Sequence, residues 1–205
     1  MNDNAERLPI ETHPWQPWLP ASSRVLIMGT FPPGAHRWSM DFYYPNPIND
    51  FWRIIGLIFS GDRDMLYDPK TRAFDLNAIK HLLDRKGIAM SDTVYKARRL
   101  AGNAADKFLD VVEPNDIAAL LERIPMCRDI ATTGEKAAMI AAEQTGTDVP
   151  RMGAYAETVF AGRDVRVWRM PSTSRAYPLK IDKKAAFYAD LLRHAGIDGV
   201  TFDGV

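Results

Sequence analysis

Between Arg24 and Gly29 the chain carries Val25, Leu26, Ile27 and Met28 in unbroken succession. A strand with one wet face alternates apolar and polar side chains, so a run without alternation reads as a strand buried on both faces. The rest of the chain supplies the covering layers. Phe51 to Phe59, Asp75 to Arg85, Asp116 to Ile124, Glu135 to Thr145 and Ile181 to His194 read as helices, with Gly87, Gly146 and Gly196 as C-terminal stops. Gly87 to Met90, Arg128 to Thr132 and Val165 to Met170 read as the strands between them. Strands alternating with helices predict an α/β fold, a three-layer α/β/α sandwich around a central, mainly parallel, four-stranded sheet.

Residues 1–23 break this pattern. Pro9, Pro14, Pro17 and Pro20 forbid a long helix there, so the segment is expected to be an extended arm tacked down by Trp15 and Trp18. Residues 24–205 are then one domain, because 205 residues of which 46% are hydrophobic suffice for a single core.

Charge narrows the partners. Twenty-six basic residues balance twenty-six acidic ones, so any contact with a polyanion has to come from a local patch. The single cysteine, Cys127, can form neither an intramolecular disulfide nor a four-thiolate cluster, which fits a reducing compartment. The start of the chain is acidic and proline-rich, and no stretch approaches the roughly 18 apolar residues of a membrane span. A cytoplasmic protein is expected, with no membrane partner. His36, His81 and His194 are too dispersed for a metal site or a triad, and neither metal nor cofactor is expected.

In parallel sheets ligands gather at the carboxyl ends of strands, and two distinctive loops, 29–50 and 171–178, come directly after strands. The first holds Gly29-Thr30-Phe31-Pro32-Pro33-Gly34 and then Tyr43-Tyr44-Pro45-Asn46-Pro47-Ile48-Asn49-Asp50-Phe51-Trp52; the second opens Pro171-Ser172-Thr173-Ser174. In order and spacing this set resembles the uracil-DNA glycosylase superfamily, and within it the hypoxanthine-DNA glycosylase branch. The likeness runs from about Arg24 to His194, with Thr133-Gly134-Glu135-Lys136-Ala137 as a weaker intermediate match.

That resemblance implies a uracil-DNA glycosylase-like fold and a monofunctional DNA glycosylase. It would hydrolyse the N-glycosidic bond of a deaminated base, hypoxanthine or uracil, in base excision repair, acting as a monomer on DNA. Such an enzyme extrudes the nucleotide from the duplex, at a cost of a few kcal/mol repaid by stacking and edge hydrogen bonds. Tyr44 aligns with the family position that stacks on the flipped base; Phe31 is a second wall, and Gly29 and Thr30 complete the base pocket. Asn49 aligns with the residue that orients the attacking water. Cleavage passes through an oxocarbenium-like sugar, so an amide that positions water suffices. The residues themselves leave a second role open, since Asn is a favoured helix N-cap. Asp41 and Asp50 are the alternative bases.

Pro171, Ser172, Thr173, Ser174 and Arg175 are expected to grip the DNA strand, although Ser and Thr also make plain turns. Arg175, Lys180, Lys183 and Lys184 form a candidate phosphate patch or a solvated helix face, and Lys96, Arg98 and Arg99 are further phosphate candidates. Two departures from the family stand out: Arg175-Ala176-Tyr177 replaces Pro-Ala-Asn, and Ser91-Asp92-Thr93-Val94 replaces Trp-Asp-Val, keeping Asp92. A non-catalytic DNA-binding module of this fold and a nucleoside N-glycosidase are the competing functions.

Overall fold

The computed structural model describes residues 8–101 and 108–204. In chain order they form β1 (Glu11–Thr12), β2 (Val25–Gly29), α1 (Phe51–Ser60), β3 (Tyr67–Asp68), β4 (Ala73–Phe74), α2 (Leu76–Lys86), β5 (Ile88–Asp92) and β6 (Val94–Arg99). Next come β7 (Leu109–Pro114), α3 (Ile117–Glu122), β8 (Asp129–Thr133), α4 (Glu135–Thr145), β9 (Tyr155–Phe160), β10 (Arg163–Met170) and α5 (Ile181–His194).

The central sheet has the order β5-β2-β8-β10-β9. The first four strands are mutually parallel, and β9 runs antiparallel at one edge. The expected four-stranded sheet is therefore one strand short. Tyr155–Phe160 carries no continuous apolar run, which an edge strand does not need: its residues alternate between exposed and half-buried. Ala161 and Gly162, with φ of 49° and 72°, turn it back onto β10, the two positive values that a tight two-residue hairpin requires.

The unbroken apolar run in β2 serves two cores, as its lack of alternation predicts. Val25 and Ile27 join the cluster containing Phe51, Ile54, Ile55, Leu82, Leu83, Tyr188 and Leu192 from α1, α2 and α5. Leu26 and Met28 point the other way, to Ile117, Leu120 and Leu121 of α3 and Ala141 of α4. Cys127 is buried in that second core, and burial pushes its thiol up to about 12. Asp75 caps α2 by accepting a hydrogen bond from the Ala78 amide, and Gly87 ends it in the left-handed region. Gly196, expected as the cap of α5, instead comes after an Ala195 cap. Among the described residues no helix is long and apolar enough to cross a membrane.

The N-terminal segment is fastened by more than its tryptophans. β1 pairs antiparallel with β6, which pairs with β7 in a small second sheet that no sequence pattern announces. Farther on, Trp18 and Met90 exchange backbone hydrogen bonds of 2.9 and 2.8 Å. This bridge lies along the outer side of β5, where the central sheet would otherwise present an open edge.

Candidate functional site

Parallel strands in register bring their carboxyl ends to one level. Gly29 of β2 lies opposite Asp92 of β5, and Thr133 of β8 lies opposite Met170 of β10. Above this edge opens a cleft of about 400 Å³, within the range of small-ligand sites. Gly29, Thr30, Phe31, Tyr44, Asn49 and the segment Ser172 to Arg175 all line it. Pro171, expected beside them in the strand-gripping loop, stands back. Its carbonyl accepts the Tyr188 hydroxyl hydrogen bond at 2.9 Å and so anchors the second loop from below.

Tyr44 is held in an uncommon conformation. Its φ is 51°, a left-handed value that costs a bulky residue about 1–3 kcal/mol and persists only where surroundings enforce it. Phe51 stacks on one face of the ring at 4.0 Å and 17°, and the Tyr44 hydroxyl lies 2.7 Å from Thr133 Oγ1. With Phe51 on one face, a planar ligand can stack only on the other.

Asp50 and not Asn49 is the N-cap residue of α1, yet Asn49 serves the start of that helix. Its Oδ1 accepts the Phe51 amide hydrogen at 2.9 Å, satisfying a first-turn donor of α1, and its side chain still lines the cleft. A carboxamide oxygen has a second lone pair, and Oδ1 keeps it while the Phe51 amide fixes its direction.

Neither of the two alternative carboxylates lines the cleft. Asp41 is exposed and lies outside the cleft lining. Asp50 is buried and bonds Lys184 Nζ at 2.9 Å and Arg175 Nε at 3.3 Å. Lys184, expected on a phosphate patch or a wet helix face, is fully buried; Nζ also donates to the Ser174 carbonyl at 2.8 Å. The Asp50 amide donates to the Thr173 carbonyl at 2.9 Å. This cluster ties the second loop to the start of α1. Within the loop, Ser172 Oγ accepts from the Ser174 amide and Ser174 Oγ from the Ala176 amide, so these hydroxyls do make turns while the segment also lines the cleft.

The further phosphate candidates Lys96, Arg98 and Arg99 are also paired. Lys96 bonds Glu113 and Arg98 bonds Asp110. Arg99 bonds Glu11, donates to the Pro32 carbonyl at 2.7 Å and lies over the Phe31 ring. Arg99 thus shapes the first loop. Arg37, which no motif singles out, lines the cleft and is exposed.

Asp92 has a partner that no local sequence signal marks. Its Oδ2 lies 3.0 Å from Nε2 of His13, a buried residue of the N-terminal segment. Asp92 is 5% exposed and lines the cleft. Burial pushes the Tyr43 phenol far above its ordinary range, and the nearby Asp92 carboxylate adds to the rise. Gly29 makes room for this arrangement: a Cβ there would stand 2.5 Å from Asp92 Oδ1 and 3.1 Å from the Tyr44 hydroxyl. Gly29→Ala is therefore expected to lose about 1–3 kcal/mol of stability by overpacking, read from urea unfolding; an unchanged midpoint would show that the space is slack.

No family model matches the chain. Among curated proteins, the hypoxanthine DNA glycosylase of Methanosarcina acetivorans is 35% identical over 120 residues, covering 58% of this chain and 68% of the relative. That of Methanosarcina barkeri is 30% identical over 121 residues, covering 58% and 69%. Among solved structures, the solution NMR structure of a Methanosarcina acetivorans protein provisionally designated a uracil DNA glycosylase superposes with a TM-score of 0.61. The two are 21% identical, and the match covers 92% of this chain and 99% of that one.

Proposed function

Since the chain belongs to the hypoxanthine DNA glycosylase branch of the uracil-DNA glycosylase superfamily, we propose that its cleft takes a single deaminated base out of DNA and that Asn49 directs the water that replaces it. The chain has the fold of that superfamily, and its activity is that of a DNA glycosylase, a hydrolase of N-glycosyl bonds acting on DNA. Residues 24–205 form the catalytic domain, onto which the N-terminal segment packs with His13 against Asp92. The protein acts as a monomer in the cytoplasm without a metal.

One observation carries the residue roles: Tyr44, Asn49 and the loop from Ser172 to Arg175, distant in sequence, line the same cleft at the carboxyl edge of the sheet. The base stacks on Tyr44 on the side away from Phe51. Asn49 Oδ1, already aimed by the Phe51 amide, accepts a hydrogen from water and holds it toward the anomeric carbon. The sugar passes through an oxocarbenium-like state, so positioning and charge stabilisation outweigh base strength. Arg175 and the exposed Arg37 flank the cleft where phosphate oxygens would pass.

The test uses oligonucleotides bearing one uracil, hypoxanthine or xanthine. Strand cleavage that appears only after alkali marks an abasic product; scission without alkali would refute a monofunctional hydrolase, and no abasic site from any substrate would refute the function. Tyr44→Ala is expected to weaken binding to such DNA by about 1–3 kcal/mol, the worth of one base–aromatic stack. Titration of a fluorescent oligonucleotide reads it, and equal affinity would remove Tyr44 from the base pocket.

A further inference from the structure

Zero net charge leaves the binding of a polyanion to a local patch, and most of the expected basic residues do not form one. Lys96, Arg98 and Arg99 are each paired with a carboxylate, while Lys184 and Arg175 share Asp50. Arg37 and Arg72 differ. Both are exposed, and neither pairs with a carboxylate among the described residues.

The two arginines line one open groove of about 630 Å³. Arg37, Asn46 and Ile48 belong to the linings of both the groove and the cleft, so the groove adjoins the cleft across the segment that leads to Asn49. Away from that border it is lined by Trp38, Thr71 and Arg72, and by no Asp or Glu among the described residues. Its sides are fixed by hydrogen bonds. Trp38 Nε1 donates to the Pro33 carbonyl at 2.7 Å, and the Ser39 amide donates to the Pro45 carbonyl at 3.0 Å. Asn46 Oδ1 accepts the Ile48 amide hydrogen at 3.1 Å. On the far side the turn between β3 and β4 is closed by Asp68, which accepts from the Lys70 amide at 2.8 Å and from the Thr71 hydroxyl at 3.1 Å. Lys70 and Arg72 leave this turn with one cation in excess of its acid.

A strand whose extruded nucleotide fills the cleft carries its backbone over the rim on either side of that nucleotide. The loop from Ser172 to Arg175 takes no part in the groove, so the groove is a separate way off the rim. We propose that it holds the sugar–phosphate backbone of the damaged strand on one side of the extruded nucleotide, with Arg37 and Arg72 on the phosphates. Ile48, 56% exposed at the shared border, gives the deoxyribose an apolar surface. The inference takes from the glycosylase reading that the damaged nucleotide occupies the cleft, and it adds a strand contact made by the β3–β4 hairpin. Arg72 is the residue that tests it, because it lies outside the cleft lining and outside every motif of the sequence.

The full chain is titrated at several salt concentrations with fluorescent single strands carrying one 2′-fluoro-2′-deoxyuridine or 2′-fluoro-2′-deoxyinosine, whose fluorine disfavours the oxocarbenium-like state and so resists excision. The strands extend on the 5′ side of that nucleotide, on its 3′ side, or on both. Losing one phosphate contact lowers the slope of log K against log salt by about 0.7 on a single strand. Arg72→Gln is expected to show that loss, with weaker binding, on the two-sided strand and on one of the one-sided strands but not the other. Arg72→Lys keeps the charge and should restore most of the slope. An unchanged slope in Arg72→Gln, or the same loss from both one-sided strands, would overturn the inference. So would a loss confined to duplex DNA, which would put the complementary strand in the groove. Abasic sites are counted in parallel on unmodified uracil and hypoxanthine strands. If none form while the one-sided dependence on Arg72 persists, the glycosylase reading falls and the groove stands.

Discussion

Asn49→Ala is expected to slow base excision by about 10²–10³-fold, the usual cost of removing one preorganised hydrogen-bonding group from a reaction centre, in a protein that still melts cooperatively. The expectation rests on the two bonds available to Oδ1. One, from the Phe51 amide at 2.9 Å, fixes the carboxamide against the first turn of α1; the second lone pair serves water. Alanine removes both. The structural part is bounded, because losing a side chain that satisfies a helix-start amide costs about 0.5–2 kcal/mol. Asn49→Asp keeps an acceptor at the same place and should retain more activity than alanine. Single-turnover rates with thermal melts of the three proteins separate the roles. An alanine variant that melts lower yet excises at the wild-type rate would reduce Asn49 to a residue that starts a helix.

Lys184→Met should cost the fold about 3–5 kcal/mol, because breaking a buried pair strands the other charge. Lys184 Nζ, fully buried, reaches Asp50 at 2.9 Å and the Ser174 carbonyl at 2.8 Å. Asp50 keeps only the half-exposed Arg175 when the lysine goes. Pairing the change with Asp50→Asn removes the stranded charge, so the double variant should be less destabilised than the two single losses summed. Urea denaturation of all four proteins measures this coupling. A loss below about 1 kcal/mol for Lys184→Met would place the pair among weak surface bridges.

The elements legible in the sequence are those whose cause is local. The continuous run of β2 demands cover on both faces and receives it from α1, α2 and α5 on one side and α3 and α4 on the other. Asp75 and Gly87 bracket α2 within a residue of its observed ends. The ordered motifs bring Tyr44, Asn49 and the loop from Ser172 to one cleft. The features that escape a sequence reading depend on partners far away in the chain. β9 carries no core of its own and exists because β10 offers it an edge. β6 and β7 stabilise one another and β1 in the same way. Lys184 reads as a surface cation until Asp50, 134 residues earlier, meets it inside the protein. His13 belongs to a proline-broken segment that promises only an arm, and its place beneath the cleft is decided by Asp92, 79 residues on.

The burial of Cys127 gives the chain a built-in reporter. It is the only thiol, it lies in the core between the sheet and α3, and its acidity is suppressed to about 12, so almost no thiolate exists at neutral pH to meet an alkylating reagent. Labelling then counts molecules that have opened through to that core, one hit per chain, without touching the cleft. Variants of Asn49, Arg72 and Lys184 can be compared by the rate at which they take up label. A chemical step that has slowed is thereby distinguished from a population that has come apart.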